Sequence, residues 1–249
     1  MKWRSHQQIT SLVAEALELP EDLAELMVEA SVDPDRNPLK KVKKEHGTHK
    51  VRRVRHHHQS RSEVMRLLWR ARRSYLRGEE ADAVWRLGRA LHYVQDAHVR
   101  IGAFYSEHDH FEKQISLLTP SISSVRHGLE SAIPSPGFVK GCLDASSPRR
   151  DPQDALEHAA LVSASIAGAV LGETSDPRAL ERRLRATRLR HNFIVLPAAV
   201  VALASIGGMG LLVGAPYLIA VGVAVAAIIV LADRSYAFVS LEAEWNGIA

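Results

Sequence analysis

Forty-one consecutive residues, Asn192 to Ala232, carry no formal charge in a chain of 249 that is otherwise dense in Arg, Glu and His. A transmembrane helix needs about 20 residues to cross the hydrocarbon core, and 41 would reach roughly 60 Å, so a single span cannot absorb the run. Gly207-Gly208-Met209-Gly210 and Gly214-Ala215-Pro216 interrupt it near the middle. The pattern predicts two spans, roughly 192–210 and 213–232, joined by a very short turn. Val, Ala, Ile and Leu cover every face, which separates the run from a buried helical hairpin of a soluble protein.

Charge sets the expected orientation. Residues 178–190 hold six arginines against one acid, Glu181. By the positive-inside rule this flank is cytoplasmic, and two spans return the tail 233–249 to the same side. The N-terminus, Met-Lys-Trp-Arg-Ser-His-Gln-Gln, has no apolar segment of the secretory kind, so the preceding domain is expected to stay in the cytoplasm. The reading is a cell-membrane protein with two spans and a cytoplasmic domain. Hydrophobic residues at 46% and charged residues at 24% exclude wholesale disorder, and the single Cys142 excludes a disulfide framework or a cysteine-rich zinc module.

Residues 1–191 read as all-α. Apolar positions at helical spacing mark 7–19 and 21–30, separated by Pro20. Residues 31–60 look like a polar, turn-rich loop with Asp33-Pro34-Asp35 as a turn. Helices are expected over 61–77, 80–99 and 106–118, a loop rich in Pro, Gly and Ser over 133–152, and helices over 153–171 and 177–191. The domains are then 1–175, a basic juxtamembrane helix 176–191, the hairpin 192–232 and the tail 233–249.

Thirteen histidines are many for this length. His92 and Asp96 stand four apart within Leu87-Gly88-Arg89-Ala90-Leu91-His92-Tyr93-Val94-Gln95-Asp96-Ala97-His98, so a helix puts both on one face. His108 and Glu112 repeat that spacing. Imidazole nitrogen with carboxylate oxygen is a ligand set that suits Zn²⁺. His6, Asp33, Asp35 and the run His56-His57-His58 add further donors upstream.

In this order the motifs resemble the zinc-dependent phospholipase C family, whose fold is shared with fungal zinc nucleases. Ser5-His6, Asp33 or Asp35, His57 or His58, His92-Tyr93-Val94-Gln95-Asp96 and His108 to Glu112 carry the resemblance, over roughly residues 1–170. It implies a multi-helix domain holding two or three zinc ions. Asp96 would bridge two metals. His58 (or His57), His92 and one loop aspartate would complete one site, His108 and Glu112 would hold another, and His6 would serve the third. The implied chemistry is hydrolysis of a phosphodiester by metal-activated water, with Asp35 before Asp33 as the general base. The family places Pro and His four and six residues after the helix aspartate. Here those positions are Arg100 and Gly102, and His98 and His110 are the replacements near in sequence. Secreted members also use a mature N-terminal amino group as a ligand.

Residues 40–55 hold eight basic side chains and one acid, Glu45, and the net charge is +4. Anionic membrane lipid is the expected partner and a phospholipid headgroup the expected phosphodiester substrate. Nucleic acid is the second candidate. A zinc nuclease of the same fold, or a non-catalytic metal-binding membrane protein, are the competing readings.

Overall fold

The computed structural model describes residues 1–37, 40–45, 48–53, 60–100, 105–174 and 176–248. Two compact units divide it, Met1–Glu173 and Thr174–Ala249.

The first unit contains helices α1 (Trp3–Ala16), α2 (Glu21–Arg36), α3 (Arg61–Leu76), α4 (Glu80–Asp96), α5 (Tyr105–Ser116), α6 (Ile122–Glu130), α7 (Pro136–Ala145) and α8 (Pro152–Leu171). Between α2 and α3 lies an antiparallel pair, β1 (Lys40–Glu45) and β2 (Thr48–Arg53), a departure from the loop expected over 31–60. Two residues separate the strands in sequence, the second a glycine, which is hairpin spacing. Its register sets Lys41 opposite Arg52 and Lys43 opposite Lys50, with Val42 opposite Val51.

α8 is the centre of this unit. Six of the other helices pack against it, and its Ala, Ser and Gly content lets them come close. A methyl group on Gly128 of α6 would meet the Leu161 carbonyl oxygen of α8 at 2.4 Å. Buried Arg72 donates to the carbonyls of Val170 (2.8 Å) and Gly172 (2.7 Å), placing a cation where the α8 dipole ends. Burial lowers the pKa of this guanidinium from its ordinary value.

Helix α7 occupies much of the segment 133–152 expected to be loop, and α6 precedes it. Two of the prolines there, Pro136 and Pro152, start helices instead of breaking them, and Pro134 and Pro148 lie between helices. Ser135 caps α7 through the amides of Gly137 and Phe138, with Pro136 in the first turn; Asp151 caps α8 with Pro152 next. Asp176 with Pro177 repeats the device. Proline fits the first helical position because its missing N–H would be unpaired there in any case. α2 likewise runs through Asp33-Pro34-Asp35, so neither aspartate sits in a loop. Pro34 falls in the last turn, where it removes a single helical hydrogen bond.

α2 and α4 approach unusually closely. A methyl group on Gly88 would lie 2.4 Å from the Met27 carbonyl oxygen and 2.8 Å from the Ala30 Cβ. The contact advances in the same sense along both helices, so the next turn brings Ser31 to His92.

The second unit contains α9 (Pro177–Arg190), a π-helical turn (His191–Val195), α10 (Leu196–Leu212), α11 (Tyr217–Leu231) and α12 (Arg234–Trp245). Helical structure is continuous from Pro177 to Leu212, 36 residues long and apolar enough to cross a membrane. α8 also passes by length and composition, but it is largely buried within the first unit. α11 has 15 residues, about 22 Å, shorter than the span expected over 213–232. It reaches membrane length only together with α12, from which it is bent by 48°. The expected tail is thus helical. Val239 and Ala243 of α12 bury against Leu180 and Leu184 of α9. Asp233, at the bend, accepts hydrogen bonds from Arg190, Ser235 and His191 Nδ1. Val200, Val201, Leu211, Leu212, Ile228 and Leu231 are exposed, the surface a lipid-facing hairpin presents.

The Gly88 contact generates a stability prediction. Gly88→Ala forces two backbones apart and should cost about 1–3 kcal/mol in denaturant unfolding of the detergent-solubilised chain. Gly141→Ala, whose methyl group meets nothing within 4 Å, should be neutral or slightly stabilising. Equal loss at both positions would contradict the packing argument.

Candidate metal centre

Three helices converge on a buried polar cluster. His6 enters from the second turn of α1, Asp35 from the end of α2, and His92 with Asp96 from the last turns of α4. Both histidines are fully buried and stack on one another, with ring centroids 4.3 Å apart.

Each ring is oriented by its Nδ1. His92 Nδ1 donates to the Ser31 carbonyl at 2.9 Å, and His6 Nδ1 donates to Gln95 Oε1 at 2.6 Å. Gln95 is fixed in turn by donating its amide to Thr10 Oγ1 at 3.3 Å. With Nδ1 committed as a donor, the neutral form of such a ring carries its lone pair on Nε2. These Nε2 atoms are buried and have no hydrogen-bond partner.

They face carboxylates. His92 Nε2 lies 3.6 Å from Asp35 Oδ1 and 3.4 Å from Asp96 Oδ2, and His6 Nε2 lies 3.4 Å from Asp96 Oδ1. The ligand atoms of His6, Asp35 and His92 all fall within 4.8 Å of one another, a group that could hold a metal ion. Burial, followed by the neighbouring His6, pushes the His92 pKa down to about 3, so the ring is neutral at physiological pH.

His108 and Glu112 of α5 form a second pair. His108 Nε2 is 3.3 Å from Glu112 Oε1, and its Nδ1 donates to the Arg100 carbonyl at 3.0 Å. Cations already surround these acids. The Met1 amino group contacts Asp96 and lies 3.0 Å from Glu112 Oε1, while Lys2 Nζ lies 2.5 Å from Asp109 and 3.5 Å from Glu112. Burial raises the Glu112 pKa, but the ammonium group outweighs it and holds the carboxyl below its ordinary value.

Of the residues singled out in the sequence, His6, Asp35, His92 and Asp96 come together here, and His108 with Glu112 joins them through Met1. Asp33 does not enter the cluster. It pairs with Arg89 Nε at 3.0 Å and accepts from Asn37. The i, i+2 spacing explains the separation: Asp33 and Asp35 lie about 200° apart around α2. His98 donates to the Val94 carbonyl, and its electrostatic neighbours are Arg149, His158 and Asp154, not Glu112. His110 lines a surface groove of about 240 Å³ with Arg100 and Phe111. His57, His58 and Gly102 lie outside the described residues. Sequence reasoning missed Gln95, Thr10 and the Ser31 carbonyl. Gln95 sits inside the His92–Asp96 motif, but nothing in the pattern marks its partner on α1.

No family model matches the chain, and neither the curated proteins nor the solved structures contain a match.

The neutral His92 makes stability depend on pH. In the unfolded chain the ring takes a proton near its ordinary value of 6.5; in the folded chain it resists until about 3. Its contribution is complete above pH 6.5 and is lost as pH falls toward 3, by about 2 kcal/mol at pH 5. Denaturant unfolding at pH 7.5 and pH 5 in chelator should show this loss, reduced in His92→Gln, whereas His98 keeps its own share. An identical pH dependence in the variant would refute the buried neutral ring.

Proposed function

We propose that the chain is a membrane-anchored, zinc-dependent phosphodiester hydrolase of phospholipase C type, acting on phospholipid headgroups. The observation that carries this reading is the pair of buried, unpartnered imidazole nitrogens turned toward two carboxylates. Such atoms are costly to bury unless a ligand satisfies them. Neutral imidazole with carboxylate is also the donor set that suits Zn²⁺. His6, Asp35, His92 and Asp96 would hold one centre, and His108 with Glu112 a second. When bound, zinc supplies Lewis acidity toward a phosphoryl oxygen and lowers the pKa of water.

The chain's own residues prepare that chemistry. Ser31 and Gln95 lock the two imidazoles in the tautomer that leaves Nε2 open. Asp96 offers one oxygen to each histidine, the arrangement a bridging carboxylate needs. Asp35, half-buried at the edge of the cluster, is the candidate for handling a proton.

Lipid is favoured as substrate by covalent attachment to apolar helices, which raises the effective concentration of headgroups above that of any soluble diester. The cationic register of the hairpin β1–β2 and the arginines of α9 add attraction to anionic lipid, about 1 kcal/mol per basic residue close to the surface. The same arginines orient the spans with both flanks in the cytoplasm. Reporter fusions after Arg188 and after Ala249 should therefore give the same cytoplasmic signal; opposite signals would mean a single crossing.

The activity test uses the whole chain reconstituted with zinc in anionic vesicles. Diacyl- or dialkylglycerol-type products should form, and Asp96→Asn or His92→Ala should lower their rate about a hundredfold or more. Cleavage of single-stranded nucleic acid with lipids intact would transfer the case to the nuclease reading. Zinc retention without either activity would leave a non-catalytic metal protein.

A further inference from the structure

The basic face of α3 takes no part in the metal centre. Arg66, Arg70, Arg73 and Arg77 recur at spacings of four, three and four, so they form one stripe roughly 16 Å long. Like charges at i, i+4 destabilise a helix. α4 borders the stripe with Arg86 and Arg89, three apart on its own face. Six guanidiniums thus line one seam between two helices.

Three acids of the seam are already committed, while the exposed Glu79 also lines its second groove. Glu63 pairs with Arg66, and Asp33 with Arg89. Asp82 accepts from Arg86 Nε at 2.5 Å and from the Ser74 hydroxyl. The Arg86 hydrogen bond holds the Asp82 carboxyl below its ordinary range, so it stays ionised and paired. Among the described residues, Arg70 and Arg77 pair with no carboxylate, and both are exposed.

Two grooves open along the seam, of about 280 and 300 Å³, and Arg70, Arg86 and its partner Asp82 line both. Arg66, Arg89 and Trp85 wall the first, and Arg73 and Arg77 the second. We propose that this seam is a binding site for a phosphate-bearing ligand, separate from the metal centre. Guanidinium forks match phosphate oxygens bidentately, and the unpaired Arg70 lies where the two grooves meet. The shared chemistry is a phosphate ester, supplied by a lipid headgroup or by a soluble metabolite. Nucleic acid fits less well. Trp85 is the one aromatic residue among those lining the grooves, whereas single strands are gripped by successive stacking platforms.

The test titrates the full chain, in neutral detergent, with inorganic phosphate at fixed ionic strength. Saturable binding is expected, weakened about tenfold or more in Arg70→Gln/Arg77→Gln. Both side chains are exposed and unpaired, so the variant's thermal unfolding should match the parent. The same titration in bilayer discs separates the sources. A headgroup ligand makes phosphatidylglycerol discs suppress phosphate binding and protect the α3–α4 seam from hydrogen exchange, relative to phosphatidylcholine discs. A soluble ester leaves phosphate affinity equal in both. Absence of saturable phosphate binding, equal affinity in parent and variant, or binding of a single-stranded oligonucleotide alone would overturn the proposal.

Discussion

The close approach of α2 and α4 at Gly88 is the contact on which the first unit's polar cluster depends. With no side chain there, the Met27 carbonyl and the Ala30 methyl group can occupy the space a Cβ would fill. One turn further along, the same alignment puts the Ser31 carbonyl against His92 Nδ1, and Asp35 at its Nε2. A backbone contact between two apolar helix faces therefore decides which atom of a histidine is left open. The α1 side is built differently, through a side-chain relay from Thr10 and Gln95 to His6.

Electrostatics then constrains what the cluster can be. Buried carboxylates need a compensating positive charge, because burying unpaired charge is expensive, and the Met1 amino group supplies it to Asp96. On the α5 side the Met1 amino group and Lys2 provide that charge. On the α2 side Asp35 faces the Nε2 of neutral His92, and Asp96 faces the Nε2 atoms of both histidines as well as the Met1 amino group. A cation between them would satisfy both sets of atoms at once, which is why the metal reading rests on this side of the cluster.

Much of this was legible because helical periodicity is simple. The i, i+4 pairs His92/Asp96 and His108/Glu112 need only a helix to bring their members together, and the helices are there. Asp35 could be named but not separated from Asp33 until α2 was seen to continue past Pro34. Ser135-Pro136 and Asp151-Pro152 read as breaks because proline at a helix start and proline in a loop look alike without the cap geometry. The roles of Gln95 and Ser31 were illegible for a different reason. They depend on which helices become neighbours, and that is decided by packing far along the chain.

X-ray absorption at the zinc edge of the zinc-loaded chain tests the central claim most directly, because it reads the ligand shell without reference to activity. The expected first shell is nitrogen and oxygen only, at about 2.0–2.1 Å, with outer-shell imidazole scattering that falls sharply in a His6→Ala/His92→Ala variant. Zinc lost on dialysis, a sulfur contribution from Cys142, or an imidazole signal unchanged in that variant would contradict it.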